Sequence, residues 1–190
     1  MQALQAVNEF VIKFVNGTGS ASANNLFAKA VFRMGLPVCP KNIFPSNIQG
    51  LPTWYEVRVS ERGYLGRRGG VDIMLSVNPQ SMPQDIQEVD PGGYDNTKPL
   101  DLRLIRSDVT IMGIPLTRIC NEQYQDPRQR QLFRNVIYVG ALAALLDMDF
   151  AVLTGLVEDQ FKGKDKLILP NIQALELGYQ YATENFDCPI

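Results

Sequence analysis

The chain opens on a short apolar segment that runs directly into a glycine-rich turn. Residues 10–15 read Phe-Val-Ile-Lys-Phe-Val and end at Asn16-Gly17, a pattern typical of a buried strand. Residues 21–34 then carry apolar side chains at helical spacing and stop before Gly35, so they predict a helix. A strand that turns through glycines into a helix restricts the fold to the α/β class.

The rest of the chain continues this alternation and then becomes helical. Strands are predicted at 54–60, 71–77 and 109–114, with a weak strand within 101–106. A turn-rich loop is predicted at 41–52 and a turn at 90–93. Helices are predicted at 79–89, capped by Asn78, and at 127–146, 149–162 and 170–185. We therefore expect a three-layer, Rossmann-like sandwich with a partly parallel sheet and a helical C-terminal part. At 190 residues, the whole chain (1–190) is expected to form one domain.

The chain contains no histidine, and this absence excludes several classes of enzyme. Histidine is the usual general base near neutral pH and the commonest metal ligand, so Ser-His-Asp and Cys-His hydrolases, HExxH metalloenzymes and His-ligated metals are ruled out. The three cysteines are far apart, which argues against zinc or iron–sulfur ligation within the chain and favours a reducing, cytoplasmic compartment. We predict no catalytic residue and no metal site.

Charge and hydropathy give no sign of nucleic-acid or membrane binding. The formal net charge of −2 provides no overall attraction to nucleic acid or to an anionic membrane. The most apolar stretch, 136–146, is about half of the ~20 residues that a membrane-spanning helix needs. It is predicted to be a buried helix.

The glycine turn is the first candidate binding site. A helix N-terminus presents free N–H groups that can hold an anion, and glycines let the backbone approach it. The candidate ligands are Gly17, Thr18, Gly19 and Ser20. A dinucleotide fingerprint would need a third glycine where Ser22 stands and an acidic residue about 20 positions later, and neither is present. A tight strand-to-helix turn without a ligand is the alternative.

Two further segments offer polar groups. Ser46, Asn47 and Gln49 lie in a proline-bounded loop before Trp54, and the alternative is a structured connection that holds the tryptophan. Arg67 and Arg68 lie in a locally basic turn that could bind a phosphate or an acidic partner, whereas solvated turn charges are the simpler interpretation.

These same segments resemble a known family. The stretches Asn16-Gly17-Thr18-Gly19-Ser20 and Pro45 to Tyr55 are similar to the gamma domain of the 2-oxoacid:ferredoxin oxidoreductases, in particular the one fused to the alpha subunit of the 2-oxoglutarate type. The resemblance continues through Asp126-Pro127-Arg128 and Phe161-Lys162-Gly163-Lys164 and covers essentially the whole chain.

The resemblance implies a reaction and a division of labour. The family decarboxylates a 2-oxoacid oxidatively with thiamine diphosphate, passes electrons through iron–sulfur clusters to ferredoxin, and transfers the acyl group to coenzyme A. It implies that thiamine diphosphate and the clusters belong to other domains and to a beta subunit. The implied partners are that beta subunit, the remainder of the alpha subunit and ferredoxin, in a dimeric assembly. The gamma domain would serve assembly, active-site closure and coenzyme A access, and would be inactive alone.

Two alternatives stay open. The chain could be a non-catalytic interaction module of a related oxidoreductase with a different 2-oxoacid substrate. An independent nucleotide-binding enzyme rests only on the glycine turn, whose fingerprint is incomplete.

Overall fold

A computed structural model describes residues 9–17, 19–45, 51–95 and 106–190. These residues divide into two compact units. Among the described residues, the sheet unit comprises 9–17, 36–45, 51–95 and 106–113, and the helical unit comprises 19–35 and 114–190. The predicted strand at 101–106 lies almost wholly outside the described residues.

A six-stranded mixed sheet forms the sheet unit. In chain order the strands are β1 (Glu9–Val15), β2 (Val38–Ile43), β3 (Trp54–Ser60), β4 (Val71–Leu75), β5 (Val89–Asp95) and β6 (Thr110–Ile111), with α2 (Met82–Glu88) between β4 and β5. Their spatial order is β2-β3-β1-β4-β5-β6. Strands β1, β4, β5 and β6 are mutually parallel, whereas β3 runs antiparallel to both β1 and β2. The predicted α/β class with a partly parallel sheet is confirmed.

One edge of the sheet is strand β2, which was not predicted: its second half, 41–43, falls within the predicted turn-rich loop. All six residues of β2 pair with β3, from Val38 opposite Val59 to Ile43 opposite Trp54. Pro40 lies in the middle of β2, which is compatible with an edge strand because proline has no N–H to donate. The prolines on either side of this region favoured a loop over a strand in the prediction. An edge strand is nevertheless possible there, because it needs hydrogen bonds on only one of its sides.

Five helices form the helical unit. They are α1 (Ser20–Arg33), α3 (Leu116–Gln123), α4 (Pro127–Leu145), α5 (Phe150–Gln160) and α6 (Ile168–Asn185), with a 3₁₀ turn at Asp165–Leu167. Two of them have the aspartate caps that their sequences suggest: Asp126 accepts the Arg128 N–H (2.9 Å), and Asp149 accepts the Ala151 N–H (2.9 Å). Residues 136–145 of α4 are all buried, so the predicted buried helix is confirmed. No helix among the described residues is long and apolar enough to cross a membrane.

Several predicted boundaries were wrong for local reasons. Asn78 does not cap a helix: its Oδ1 accepts the Gln80 N–H (3.0 Å) in a preceding turn, and α2 begins at Met82. The predicted turn at 90–93 belongs to β5, and the predicted strand at 109–114 is reduced to two residues. Helix α3 was missed because it is short and polar. Helix α6 starts before Pro170, which its first turn accommodates since the N–H groups there need no intrahelical partner.

Helices α4 and α6 cross at two glycines. A Cβ at Gly140 would lie 1.9 Å from the backbone oxygen of Leu175, and a Cβ at Gly178 would lie 1.8 Å from the backbone oxygen of Ile137. Both distances are far below van der Waals contact, and the obstructing atoms belong to rigid helix backbones. The crossing therefore requires glycine on each helix.

Substitution of these glycines tests this crossing. We expect Gly140→Ala to lower the free energy of unfolding by about 2–3 kcal/mol or more, because the helices must separate. Gly155→Ala is the matched control, since Gly155 lies in α5 with no atom within 4 Å of a new Cβ. That control should raise stability by about 0.5–1 kcal/mol through helix propensity. Urea unfolding followed by circular dichroism measures both, and equal stabilities would refute the close crossing.

Candidate functional site

The glycine turn follows strand β1 and precedes helix α1 in the chain. Gly19 has φ +79°, in the left-handed region, and precedes the first residue of α1, the buried Ser20. Its N-cap position provides no side-chain hydrogen bond to the helix. A helix N-terminus that begins at a glycine is a common setting for an anion site. Thr18 lies outside the described residues.

The proline-bounded loop is described only at its ends. Ser46, Asn47 and Gln49 lie outside the described residues, so their role stays a prediction. The end of the loop is attached to the end of β1, because the Asn16 backbone N–H donates to the Thr53 carbonyl (2.8 Å) and Asn16 Nδ2 donates to Thr53 Oγ1 (3.1 Å). The loop that carries the candidate residues therefore ends beside Asn16, the first residue of the glycine turn.

The best-defined polar site was not predicted, and it lies on one face of the sheet. Lys13 is 4% exposed in β1 and lies opposite Glu56 of β3, which is 3% exposed. The Lys13 ammonium pairs with Glu88 of α2 and lies 4.8 Å from the centre of the Trp54 ring. A buried ammonium requires such partners because its desolvation is costly. We call this set of charges on the sheet and α2 the buried charged face.

Asp85 of α2 completes the buried charged face. It is fully buried, and its two carboxylate oxygens accept hydrogen bonds from Trp54 Nε1 and Ser81 Oγ, both at 2.8 Å. Burial raises the pKa of this carboxyl above its ordinary value, and the two hydrogen bonds offset part of that rise. Asp85 thereby fixes the orientation of Trp54, the first residue of β3. A raised pKa in a carboxyl can mark acid–base chemistry, but here both oxygens are engaged by protein donors.

The two candidate arginines are both engaged in ion pairs within the sheet unit. Arg67 makes two hydrogen bonds to the buried Glu56, at 2.9 and 2.8 Å. Arg68 pairs with Asp72 and lies 3.8 Å from Asp90. The structure thus places both arginines over the buried charged face, where they neutralise Glu56 and Asp72. Their role in binding a ligand stays a prediction, although about half of the Arg67 side chain is exposed.

The loop before these arginines is held in place by its own contacts. Arg58 makes two hydrogen bonds to Glu9 (3.0 and 2.9 Å) and one to the Gly66 carbonyl (2.7 Å), and its guanidinium lies 4.8 Å from the centre of the Tyr64 ring. Cys39 Sγ lies 2.9 Å from the Leu65 carbonyl oxygen. The basic turn is therefore held against the buried charged face by several contacts.

Among the described residues, no group of three or more His, Cys, Asp or Glu side chains could hold a metal ion. Each of the three cysteines is free. The described residues maintain a buried network of charges.

Gly19 should tolerate alanine less well than Gly17. We expect Gly19→Ala to lower the free energy of unfolding by about 1–2 kcal/mol, because its φ of +79° strains an L-residue. Gly17→Ala is the control: it has no neighbouring atom within 4 Å of a new Cβ and no positive φ. Thermal unfolding of both variants measures the difference, and an equal loss would show that the backbone conformation is not what selects glycine at position 19.

The stability conferred at Asp85 should depend on pH. The pKa of Asp85 is higher in the folded than in the unfolded chain. At pH values between 3.8, the ordinary pKa, and the folded-state pKa, the folded state therefore binds more protons than the unfolded state. The free energy of unfolding consequently falls as pH rises through that range. Asn cannot titrate and still accepts the Trp54 hydrogen bond. We expect the free energy of unfolding of Asp85→Asn, relative to that of the wild type, to increase from about pH 4 to about pH 7.

Asp85→Ala is the control for that prediction. It removes the acceptor of the Trp54 and Ser81 hydrogen bonds and should cost about 1–3 kcal/mol more than Asp85→Asn at both pH values, because neither variant titrates at this position. Urea unfolding at each pH measures the free energy of unfolding of each variant. A pH-independent difference between Asp85→Asn and the wild type would contradict the raised pKa.

Similar proteins share this fold. The chain is 25% identical over 213 residues to the alpha subunit of 2-oxoacid:ferredoxin oxidoreductase 2 from Aeropyrum pernix, covering 91% of this chain and 33% of the relative. It matches a chain of 2-oxoglutarate:ferredoxin oxidoreductase from Magnetococcus marinus, solved with 2-oxoglutarate, coenzyme A and succinyl-CoA, at 21% identity and a TM-score of 0.80 over 97% of this chain and 34% of that one. The chain thus spans about a third of the length of these relatives.

Smaller solved structures match over nearly their full length. The gamma subunit of keto/oxoacid ferredoxin oxidoreductase from Geobacter sulfurreducens has a TM-score of 0.70 at 15% identity, covering 92% of this chain and 99% of that one. A pyruvate oxidoreductase subunit from Thermotoga maritima has a TM-score of 0.70 at 19% identity, covering 91% and 96%. The family model for pyruvate ferredoxin/flavodoxin oxidoreductase matches residues 9–181. This chain therefore belongs to the pyruvate ferredoxin/flavodoxin oxidoreductase family.

Proposed function

We propose that this chain is the gamma domain of a 2-oxoglutarate:ferredoxin oxidoreductase, within a cytoplasmic complex that converts 2-oxoglutarate and coenzyme A to succinyl-CoA, CO₂ and reduced ferredoxin. The observation that carries the proposal is the match of 97% of this chain to a third of the Magnetococcus chain, in an enzyme solved with those substrates. The relative from Aeropyrum, an alpha subunit, supports the same placement within a longer polypeptide.

The residue content of the chain supports a division of labour. It has no histidine, and its described residues include no group that could hold a metal. Thiamine diphosphate, which supplies the carbanion chemistry of decarboxylation, and the iron–sulfur clusters would then be held by a beta subunit and the rest of an alpha subunit. Three free, scattered cysteines fit a reducing compartment and give no cluster motif. The isolated domain would be inactive.

Coenzyme A is the ligand that this chain is best equipped to contact. Its phosphates need N–H donors and cations, and we propose that the N-terminus of α1 and the guanidinium groups of Arg67 and Arg68 supply them. The glycines keep side chains away from the backbone at Gly17 and Gly19. Thr18, Ser46, Asn47 and Gln49 complete the proposed set of contacts.

An assembly role with a different 2-oxoacid is the second candidate. The observation that favours it is the engagement of Arg67 by Glu56 and of Arg68 by Asp72, since both guanidinium groups already have partners in the domain. In that case the domain would complete the enzyme in a dimeric assembly without touching coenzyme A.

The activity is tested on the assembled enzyme. When this chain is produced with the rest of its alpha subunit and the beta subunit, 2-oxoglutarate and coenzyme A together should reduce ferredoxin or methyl viologen. Pyruvate serves as the competing substrate, and faster turnover of pyruvate would favour the second candidate. Absence of any 2-oxoacid-dependent reduction would refute the proposal.

Coenzyme A contact is tested by conservative arginine substitutions. We expect Arg68→Lys to raise the KM for coenzyme A about tenfold, equivalent to one charge-assisted hydrogen bond, while kcat stays within about twofold because no chemistry occurs at this residue. Arg62→Lys is the matched control, since Arg62 is exposed and lies in the same loop. Equal KM values for the two variants would leave the assembly role as the better account.

A further inference from the structure

Helices α1 and α5 enclose an open groove of about 400 Å³. Its base is apolar, with Leu26 and Leu156 each 6% exposed. Phe32 also lines the groove and is 69% exposed. Such a volume is within the range of sites that accept a large apolar group.

Cationic side chains border the same groove. Lys29 and Arg33 lie one turn apart on α1, and Arg33 pairs with Asp159 of α5 (2.8 Å) across it. Lys29 is exposed and has no ion pair with any described residue. The rim thus carries a cation, Lys29, that no described residue neutralises.

The cationic character continues directly from the end of α5. Segment 161–169 follows Gln160, which lines the groove, and it contains Lys162, Lys164 and Lys166 with a single aspartate. All three lysines are exposed, and none pairs with a described acidic residue. The formal net charge of the whole chain is −2, so this concentration of positive charge is local. We call segment 161–169 the lysine segment.

The lysine segment also exposes two large apolar side chains. Leu167 is 42% exposed and Leu169 is 61% exposed. The backbone beneath them is fixed, because the Leu167 N–H donates to the Lys164 carbonyl (2.8 Å) and Asn171 Nδ2 donates to the Leu167 carbonyl (2.7 Å). Ordered leucines that face water among lysines are typical of a surface that binds a partner.

We propose that the α1–α5 groove and the lysine segment together form a docking surface for an acidic segment of another polypeptide of the same enzyme, with a large apolar side chain of that segment seated in the groove. The unneutralised lysines specify the acidic character, and the groove with Phe32 specifies the apolar anchor. The identity of the partner as another part of the enzyme rests on the proposed function.

Lysine footprinting of the assembled enzyme tests the proposal. Acetylation of the complex, read by mass spectrometry, should modify Lys29, Lys162, Lys164 and Lys166 at least about fivefold more slowly than in the isolated chain, as expected for groups buried in an interface. Lys41 of β2 is exposed in the sheet unit and serves as the internal control. An active complex in which these lysines react as fast as in the isolated chain would overturn the docking surface while leaving the proposed function intact.

Charge reversal distinguishes an acidic protein partner from an anionic lipid surface. Lys164→Glu should weaken association of this chain with the remaining subunits about tenfold at low salt and reduce its salt dependence. Arg128→Glu, an exposed change of the same charge in α4, should leave association within about twofold. Phe32→Ser should weaken association at every salt concentration. If Lys164→Glu instead assembles normally, or changes only the binding of phosphatidylglycerol vesicles, the proposed protein partner is wrong.

Discussion

The burial of Lys13 in the middle of β1 is the constraint on which the sheet unit depends. An ammonium inside a central strand is tolerated only if opposite charges and ring faces surround it. Glu88 of α2, together with Glu56 and Trp54 of β3, meets that need. The lysine therefore fixes the position of α2 against the sheet, as well as the start of β3.

Patterns in the sequence predicted the strands and helices well where a local feature, such as a helix cap or an alternation of side chains, sets their limits. The strand Trp54–Ser60 has the predicted limits, and the helices after Asp126 and Asp149 start at their caps. Alternation along β3 assigned Trp54, Glu56 and Ser60 to one face. It did not reveal that this polar face is as buried as the apolar one, because burial of a charge depends on residues distant in sequence, such as Arg67.

The candidate site was predicted only in part for the same reason. The glycine turn followed from local geometry, and the left-handed φ of Gly19 agrees with the need for glycine. Asp85 gave no signal in the sequence, since nothing in its neighbours indicates that it meets an indole 31 residues earlier. The arginines were recognised as a basic turn, but the sequence did not show that Arg67 bonds to a buried Glu56 or that Arg68 pairs with Asp72.

The proline in strand β2 has a consequence for how such a domain joins others. An open sheet edge normally offers a row of N–H and C=O groups to any passing chain, and β2 breaks that row with Pro40 and bears the exposed Lys41 beside it. Backbone pairing through this edge is consequently discouraged, including promiscuous pairing between copies. Any contact that this domain makes along that edge would therefore depend on side chains, which can be specific for one partner.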